Sequence, residues 1–533
     1  MSKPPTIHGE QIPLHKSAIG DRQSAIRPPC RLTITACETT PLTAIGTRRP
    51  EDVFGAFCRD TGAILLLSGG AHEADHSFLC LHPAAILRLD GERTSLVMGD
   101  GSAATADPLE FIDGFVTANC GRFPDGPFPA GAVGYLSYDY RTRIEAVPCA
   151  KPGAKGLPDA YYAFPGIILT FRHKDASWII TRLAYAFDGK PLPEPPTVDA
   201  VTRQALNPPD LPFPSIDPRA MTNSMDQAAH HAAVERTRRH IIDGDIYQAN
   251  IARQFAIPIQ GEPYPLFRAV FDKNPAPFFA FLNCGDHQIL SSSPELLLKV
   301  TDGVAVSKPI KGTAPRGATP AADRSARTAL ERSVKDAAEL NMIVDLVRND
   351  LGRVCAAGSV AVHGHREVRA YTNVFHTHST VTGRLRPGVP PGQVIRALFP
   401  GGSITGCPKV RSMEIIDAIE PVRRHIYTGS IGYVTANGDM QFNIAIRTGL
   451  VHGGKLFFSV GGGIVYDSVP EREFVETEDK AGTWIAVIRG VGKSLLRPIL
   501  RLGASEGRQG FGGQAQGSHS RKAGFRTNTK PKC

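Results

Sequence analysis

The sequence predicts an α+β fold, and three features lead to this prediction. The 533-residue chain is 42% hydrophobic and 21% charged, a balance typical of a globular protein with a sizeable core. Most apolar segments are short and bounded by Gly, Asp or Pro, which indicates strands. Longer segments with apolar residues at helical spacing occur at irregular intervals, which favours α+β over regularly alternating βαβ units.

The N-terminal part is predicted to form a mostly antiparallel sheet. Its strand-like runs are AILLLSGG, SFLCLHPAAILRL, AGAVGYLSYDY, YYAFPGIILTFRH and SWIITRLAYAF. In the proline-rich segment 189–218 that follows, we expect only extended or turn structure. The predicted organisation is an N-terminal region, a linker, a second folded region and a tail, with the bounds 1–190, 191–220, 221–495 and 496–533.

Helices and strands mix in the second region. DQAAHHAAVERTRRHIIDGD has helical spacing and ends at a glycine, and IYQANIARQFAIPI indicates a strand. Two further helices are predicted in DAAELNMIVDLVRNDLG and EREFVETEDKAGTWIAVIRGV. The segment KPIKGTAPRG holds so much proline and glycine that neither a helix nor a central strand is expected there.

Much of the net charge of +9 lies near the C-terminus. Residues 501–533 contain seven Lys and Arg residues and one acidic residue, Glu506. Because this tail is rich in Gly, Ser and Gln, we expect it to be disordered, with nucleic-acid binding as the less favoured alternative. The chain has no apolar run of about 18 residues, and its ten cysteines are scattered singly. A soluble cytoplasmic protein with reduced thiols and no membrane partner is therefore expected.

One carboxylate is predicted on an apolar face of a helix. The positions three, four, seven and eight after Glu339 are Met342, Ile343, Leu346 and Val347. A buried carboxylate needs a cation nearby, since desolvation penalises its charge. Either a metal ion or a structural ion pair, for example with Arg348 or Arg353, would meet that need.

The last predicted helix carries a second acidic face. Glu473, Glu476 and Lys480 fall at i, i+3 and i+7, so they lie on one side of the helix. Two carboxylates one turn apart suit a hard cation such as Mg²⁺. An ordinary solvated charged face is the alternative.

Two features near that helix suit an anion. Three glycines, 461–463, follow a predicted strand and could let backbone N–H groups approach an anion, although a flexible turn is equally consistent. Arg447 is predicted in the middle of a strand, where a guanidinium usually binds a carboxylate. Together with the acidic residues and Lys311, these features indicate a small, multiply anionic substrate bound with a divalent metal.

A zinc hydrolase is the rival from another class. His72 and His76 match H-E-x-x-H, which requires both histidines on one face of a helix. Glycines precede the motif, strand-like residues follow it, and no third ligand is evident. The pattern is therefore disfavoured.

Several segments, in order, resemble the chorismate-utilising enzymes. That family contains anthranilate synthase component I, aminodeoxychorismate synthase component I, isochorismate synthases and salicylate synthases. The resemblance covers about residues 225–490 and implies two large antiparallel sheets enclosing helices in a layered β/α/α/β arrangement. The segments are GDIYQANIARQF, SSSPELLL, KPIKGTAPRG, AELNMIVDLVRNDLGRVC, FHTHSTVTG, FPGGSITGCPKVRSMEIID, IYTGSIGYV, FNIAIRTG and GGGIVYDSVPEREFVETEDKA.

Two positions sort the members of this family. A lysine that activates water in the isochorismate and salicylate branch aligns with Gln248, and glutamine cannot act as that base. Anthranilate synthases usually have alanine where this chain has Lys311, and the lysine marks the aminodeoxychorismate synthase branch. The resemblance thus implies Mg²⁺-dependent amination of chorismate at C4, giving 4-amino-4-deoxychorismate for 4-aminobenzoate and folate synthesis. Anthranilate synthase component I is the alternative.

The resemblance also implies roles for individual residues. Lys311 is expected to attack C2 of chorismate as the C4 hydroxyl leaves, with Glu295 as general acid and base. Ammonia would come from a separate glutamine amidotransferase subunit. Glu339, Glu473 and Glu476 match the Mg²⁺ ligands. The positions that match substrate-binding residues are Gln248, His376, Thr405, Tyr427, Arg447, Gly462, Gly463 and Lys480.

Overall fold

Antiparallel strands dominate the structure, and helices pack against them, which confirms the predicted α+β class. The structure is a computed structural model. It describes residues 31–69, 75–99, 101–123, 127–151, 156–371 and 374–490. The predicted tail, 496–533, lies outside these residues.

The described residues form the following strands and helices. The strands are β1 (Leu32–Pro41), β2 (Ile64–Leu67), β3 (His76–Asp90), β4 (Arg93–Met98), β5 (Gly101–Ala104), β6 (Gly131–Leu136), β7 (Ala160–Arg172), β8 (Ser177–Phe187), β9 (Lys190–Pro191), β10 (Ser215–Ile216), β11 (Thr222–Asn223), β12 (Gln248–Gln260), β13 (Phe278–Asn283), β14 (His287–Ser293), β15 (Leu296–Thr301), β16 (Val304–Lys308), β17 (Ile310–Pro315), β18 (Ala361–Ala370), β19 (Val374–Arg384), β20 (Gly406–Cys407), β21 (Ser430–Thr435), β22 (Met440–Asn443), β23 (Thr448–His452) and β24 (Lys455–Ile464). The helices are α1 (Pro50–Phe54), α2 (Pro108–Asn119), α3 (Val198–Leu206), α4 (Gln227–Ile242), α5 (Tyr264–Lys273), α6 (Pro320–Arg332), α7 (Val334–Gly352), α8 (Pro391–Leu398), α9 (Lys409–Ile419) and α10 (Pro470–Gly490).

Two branches of sheet meet at the long strands β3 and β7, which pair with each other. One branch continues from β3 through β2, β13, β14, β23 and β24 to β12. The other continues from β7 through β6, β21, β22, β15 and β16 to β19. These branches are the two antiparallel sheets that the resemblance implies, joined along β3 and β7.

The helices α7 and α10 are anchored in different parts of the core. Helix α7 begins after Ser333, whose hydroxyl accepts a hydrogen bond from the Asp336 backbone and caps the helix. Its apolar face packs with β15, β16 and α8 in one hydrophobic cluster. Ala481 and Trp484 of α10 pack in a second cluster with β12 and β24. Each helix therefore presents its polar face from a separately fixed position.

The segment around Lys311 forms the short strand β17, which pairs only with β19 among the described residues, so the prediction of neither a helix nor a central strand is confirmed. β17 pairs with β19, and the register shifts between Ile310 and Thr313, so Lys311 and Gly312 form a bulge. Pro309 precedes the strand, and Gly312 adopts a φ of +90°, a conformation that favours glycine. The bulge accommodates the glycine within the strand, and it changes the direction in which the neighbouring side chains point.

The proline-rich segment 189–218 also differs from expectation, because it contains helix α3. The Thr197 hydroxyl caps this helix by accepting a hydrogen bond from the Ala200 backbone. Prolines lie before and after the helix but not within it, so they bound it without breaking it. The prediction of only extended or turn structure was wrong for residues 198–206.

The described part of the chain contains no helix that is long and apolar enough to cross a membrane.

The close contact between β6 and β7 predicts a strong effect of one small substitution. A methyl group at Gly134 would overlap the backbone carbonyl oxygen of Tyr161 on the paired strand. We expect Gly134→Ala to lower the free energy of unfolding by about 3 kcal/mol, since backbone cannot move aside as a flexible side chain can. Gly352→Ala is the control, because nothing lies within 4 Å of the added methyl group. Urea denaturation that finds the two variants equally stable would contradict this packing.

Candidate active site

Lys311 projects from the β17 bulge towards helix α7. Its Nζ lies 3.6 Å from Oε2 of Glu339, and each side chain is 13% exposed. The sequence prediction offered Arg348 or Arg353 as ion-pair partners of Glu339, and this was wrong. Arg348 pairs instead with the neighbouring Asp345.

A second lysine, Lys335, links the two acidic helices. Its Nζ lies 3.9 Å from Oε1 of Glu339 on α7 and 3.6 Å from Oε1 of Glu473 on α10. The sequence analysis missed this residue, although its place four residues before Glu339 puts it on the same helix face. The ion pairs bring together the predicted acidic groups of α7 and α10.

Glu473 is buried, and only one of its two carboxylate oxygens accepts a hydrogen bond from the described residues. Its Oε1 accepts a 2.7 Å hydrogen bond from the Ser468 hydroxyl, while the buried Oε2 has no hydrogen-bond partner in the described residues. Burial raises the pKa of Glu473. A methyl group on Gly462 would lie 3.2 Å from this Oε2 and 3.7 Å from Oε1 of Glu476. The glycine thus leaves the space in front of both carboxylates open.

Glu476 and Lys480 form an ion pair one turn apart on α10. Lys480 Nζ lies 2.7 Å from Oε1 of Glu476 and donates a 2.8 Å hydrogen bond to the Gly461 carbonyl oxygen. Burial by itself would raise the pKa of Glu476, but the nearby lysines, Lys480 foremost, outweigh it and lower the pKa. Glu476 is therefore held as a carboxylate.

The carboxylate oxygens of Glu339, Glu473 and Glu476 are the type of ligand that a hard divalent cation prefers. Within the described ranges, no group of three or more His, Cys, Asp or Glu residues is gathered closely enough to hold a metal ion. Lysine ammonium groups pair with the carboxylates instead. Even so, the unpartnered Oε2 of Glu473 and the open space at Gly462 are features that Mg²⁺, with carboxylate and water ligands, would satisfy.

Glu295 lies in the loop between β14 and β15 and is 4% exposed. Its Oε1 accepts hydrogen bonds from the Ser403 hydroxyl, at 2.8 Å, and from the Ile310 backbone, at 3.4 Å. Burial raises the pKa of Glu295, and the Ser403 hydrogen bond and Lys311 only partly oppose it. A buried carboxyl group with a raised pKa can donate a proton near neutral pH. Nothing in the sequence around Ser403 marked it as a partner.

Gln248 begins β12 and is fully buried, yet neither atom of its amide group has a hydrogen-bond partner in the part of the chain described. A methyl group on Gly463 would overlap the amide nitrogen and would lie 3.4 Å from Lys311 Nζ. Gln248, Gly463 and Lys311 are therefore neighbours. The glycines 461–463 lie within β24, so the flexible turn that was the alternative for them does not form.

Arg447 lies in a bend before β23 with a φ of +52°, so its prediction in mid-strand was wrong. Its guanidinium makes no hydrogen bond or ion pair with the described residues. Burial lowers the pKa of Arg447, and Glu295 opposes this. A partly buried guanidinium without such a partner suits an anionic ligand.

His376 on β19 is a neutral group at the same site. Its Nδ1 lies 2.9 Å from the Thr313 hydroxyl. Burial, with Arg447 as a second cause, lowers the pKa of His376 to about 3. The imidazole is therefore uncharged near neutral pH and can offer either a donor or an acceptor, depending on its tautomer.

Thr405 and Tyr427 lie beside Asn250, which is opposite Gly463 in the β12–β24 pair. The Thr405 hydroxyl donates to the Gly401 carbonyl oxygen at 2.9 Å, and its own carbonyl accepts from the Asn250 backbone at 2.8 Å. Burial raises the pKa of Tyr427 to about 12. Both residues thus contact Asn250, which lies two residues after Gln248 on β12.

The zinc-hydrolase alternative gains no support. His76 is the first residue of strand β3, whereas the motif needs both histidines on one helix. His72 lies outside the described residues.

Comparisons with known proteins identify the family and support the fold. Residues 62–486 match a family model described as chorismate binding enzyme. Aminodeoxychorismate synthase component 1 of Bacillus subtilis (strain 168) is 35% identical over 430 residues, which cover 78% of this chain and 90% of that protein. Anthranilate synthase component 1 of Pseudomonas putida is also 35% identical, over 469 residues covering 84% and 93%. The crystal structure of anthranilate synthase component I from Streptococcus pneumoniae TIGR4 superposes with a TM-score of 0.68 at 28% identity, covering 78% of this chain and 93% of that one.

Proposed function

The chain belongs to the family of chorismate-binding enzymes, and from that premise we propose that it aminates chorismate at C4, yielding 4-amino-4-deoxychorismate. The observation that supports C4 is Lys311, which lies among Gln248, Gly463 and Glu339. The family resemblance gives that position the nucleophile. Relatives named for two different reactions are equally similar, so the choice between them depends on this side chain.

In the first step, the Lys311 ammonium group releases a proton to solvent, and the neutral amine that results forms a bond to C2 of chorismate. The two ring double bonds shift, the C4–O bond breaks, and Glu295 protonates the departing hydroxyl, which leaves as water. The surplus proton on the new C–N bond returns to Glu295. Because Glu295 is buried with a raised pKa, it is suited to both transfers.

In the second step, ammonia forms a bond to C4. The double bonds shift back, the C2–N bond breaks, and the electron pair returns to Lys311. One proton passes from the incoming nitrogen to the lysine nitrogen, so the amine is regenerated. The bulged strand β17 restricts the directions in which Lys311 can point, which favours the reactive geometry in both steps.

Glu339, Glu473 and Glu476 would hold Mg²⁺, consistent with their oxygen donors and the unpartnered Oε2 of Glu473. When bound, Mg²⁺ supplies positive charge for the ring carboxylate of chorismate. Arg447 and Lys480 would supply positive charge for the remaining negative charge of the substrate.

The metal assignment predicts a specific effect of Glu473→Gln. Removing one carboxylate charge should raise the Mg²⁺ concentration for half-maximal activity by about tenfold or more, since affinity depends on the number of ligand charges. Mn²⁺ binding to the protein alone, followed by electron paramagnetic resonance, should weaken in parallel. Glu471→Gln is the matched control, because Glu471 is on the same helix, is 67% exposed and faces His231. Equal Mn²⁺ affinities in the two variants would argue against Glu473 as a ligand.

The ammonia source in this proposal is a separate glutamine amidotransferase subunit in the cytoplasm. The relatives above are named component 1, which is consistent with a second component. The product, which keeps its enolpyruvyl group, would then serve 4-aminobenzoate and folate synthesis. This chain would catalyse the amination step alone.

Anthranilate synthase activity is the second candidate, because a relative of that name is equally similar. Anthranilate formation eliminates pyruvate, whereas C4 amination does not. Purified protein with chorismate, Mg²⁺ and ammonium can be coupled to lactate dehydrogenase and NADH. Chorismate consumption without pyruvate release would support C4 amination, and stoichiometric pyruvate would support anthranilate synthesis.

A further inference from the structure

A buried arginine, Arg253, has no part in the proposed chemistry but binds helix α10, which carries Glu473 and Glu476. Arg253 lies on β12, and its side chain is 1% exposed. Its Nε donates a 2.9 Å hydrogen bond to the Thr477 hydroxyl, and its Nη2 pairs with Glu478. Both partners belong to α10, so the guanidinium links β12 to this helix.

Phe474 of α10 completes the contact. The Arg253 guanidinium carbon lies 4.3 Å from the centre of the Phe474 ring and 4.8 Å from that of Phe255. His230 of α4 contacts the Phe474 ring at 5.7 Å between ring centres. The aromatic ring is therefore held between the guanidinium and α4, and the cation–π geometry adds to the hydrogen bond and ion pair.

These contacts occupy a different face of α10 from the acidic residues. With 100° between successive helical residues, Phe474, Thr477 and Glu478 share one face. Glu473, Glu476 and Lys480 share the adjacent one. A rotation of the helix about its axis would thus break the Arg253 contacts and turn the carboxylates away from Gly462 together.

The core-packing residues of α10 lie beyond its first part, which is held by polar contacts that include Lys335 with Glu473 and Lys480 with the Gly461 carbonyl oxygen. Ala481 and Trp484, which pack in the core, lie at least five residues beyond Glu476. Besides Arg253 and α4, Ser468 holds the beginning of the helix through its hydrogen bond to Glu473. Burying a guanidinium is costly unless it is fully paired, and Arg253 obtains much of that pairing from α10.

We propose that Arg253 is a positioning residue that sets the rotation of α10, and so aims Glu473 and Glu476 at one divalent cation. This inference rests on the proposed function only in assigning those carboxylates to a cation. It does not depend on whether the amino group enters at C4 or C2.

The test compares two buried arginines in the full-length protein. Arg141 is also buried, pairs with Asp139 at 2.6 Å and contacts the Tyr138 ring at 4.5 Å, but it does not touch α10. Arg253→Met and Arg141→Met should both lower the melting temperature. Only Arg253→Met should weaken the binding of Mn²⁺ alone, by about tenfold, and lower kcat by about a hundredfold, the scale of a small misplacement of reacting groups.

Two further variants keep the proposal falsifiable. Arg253→Lys keeps the charge and should recover part of the lost Mn²⁺ affinity. If Arg253→Met does not fold, Phe474→Leu replaces it, since leucine keeps apolar volume but lacks the ring face, and its Mn²⁺ affinity should fall by about threefold or more. Mn²⁺ affinity within about twofold of the parent protein in the folded Arg253 or Phe474 variant would overturn the proposal. Mn²⁺ binding is measured without chorismate, so unchanged Mn²⁺ affinity would contradict the role of Arg253 without bearing on the proposed reaction. Failure of the proposed reaction would instead be detected by product analysis of the parent protein.

Discussion

Replacing Lys311 by alanine is expected to lower kcat for amination at C4 by about a hundredfold or more, because the proposed mechanism uses the Lys311 amine to form the bond to C2. The parent protein mixed with chorismate and Mg²⁺ but no ammonia should accumulate an adduct of mass equal to chorismate less one water. Intact mass spectrometry should find this adduct on the parent chain and not on Lys311→Ala. Peptide mapping should then place it on Lys311.

Lys299→Ala is the matched control for this prediction. Lys299 lies on β15, four residues after Glu295, and is exposed to solvent. Its removal should leave both the rate and the adduct unchanged. An unchanged rate in Lys311→Ala would contradict the nucleophile assignment, whatever product is formed.

Replacing Glu295 by glutamine is expected to reduce kcat by about 100- to 10,000-fold, the usual contribution of a general acid. Glutamine keeps the size of the side chain and can still bond to the Ser403 hydroxyl, but it cannot deliver a proton. In the parent protein, kcat should fall as pH rises through the raised pKa of Glu295, because the departing hydroxyl then lacks its proton donor.

The same substitution should stabilise the unliganded protein at mildly alkaline pH. Burial raises the pKa of Glu295 in the folded state above its value in the unfolded chain, so folding favours the protonated form. The stabilisation by this carboxyl group is complete below the unfolded pKa and is lost as pH rises through the folded pKa. Glutamine carries no such penalty, so the melting temperature of Glu295→Gln should exceed that of the parent by about 1–3 °C. The difference should shrink as pH falls.

Asp350 supplies a control for which the melting temperature should change in the opposite direction. Burial also raises the pKa of Asp350, but this residue accepts a 2.7 Å hydrogen bond from the Lys409 ammonium. Asp350→Asn would leave that buried ammonium without its counter-charge and should lower the melting temperature. If Glu295→Gln also destabilises the protein at alkaline pH, the Glu295 carboxylate stabilises the fold through its partners, which would contradict a net cost of its burial in the charged form.

The helices of the site could be predicted from the sequence because their evidence is local. A 3.6-residue repeat of apolar positions predicted α7 and α10, and the i, i+3, i+7 spacing placed Glu473, Glu476 and Lys480 on one side. The structure agrees on both helices and brings Glu339 and Glu473 to the same ammonium group of Lys335.

The sequence predictions failed where the backbone depends on contacts with distant residues. The segment around Lys311 was correctly predicted not to be a central strand, but its pairing with β19 through a bulge at Lys311 and Gly312 was not predicted. The sequence left a turn open for the glycines 461–463, whereas they lie in β24 with Gln248 and Glu473 packed directly against them, where a side chain would overlap. Composition alone reports neither the pairing nor the close approach.

The partners of the site residues also could not be predicted from local patterns. Ser403, which bonds to Glu295, is more than a hundred residues away from it in the chain, and Arg253 is similarly distant from Thr477. Such pairs follow from strand register and helix rotation, which are tertiary properties. Lys335 is the exception, since its helical spacing from Glu339 was visible.

Identification of the product tests the central claim most directly. The purified chain would be incubated with chorismate, Mg²⁺ and ammonium at mildly alkaline pH, and the products separated and analysed by mass spectrometry and NMR. We predict a product one mass unit lighter than chorismate that keeps its enolpyruvyl group, carries nitrogen at C4 and is converted to 4-aminobenzoate by an added lyase. Anthranilate with released pyruvate would contradict the account, because it would mean that nitrogen enters at C2 despite Lys311.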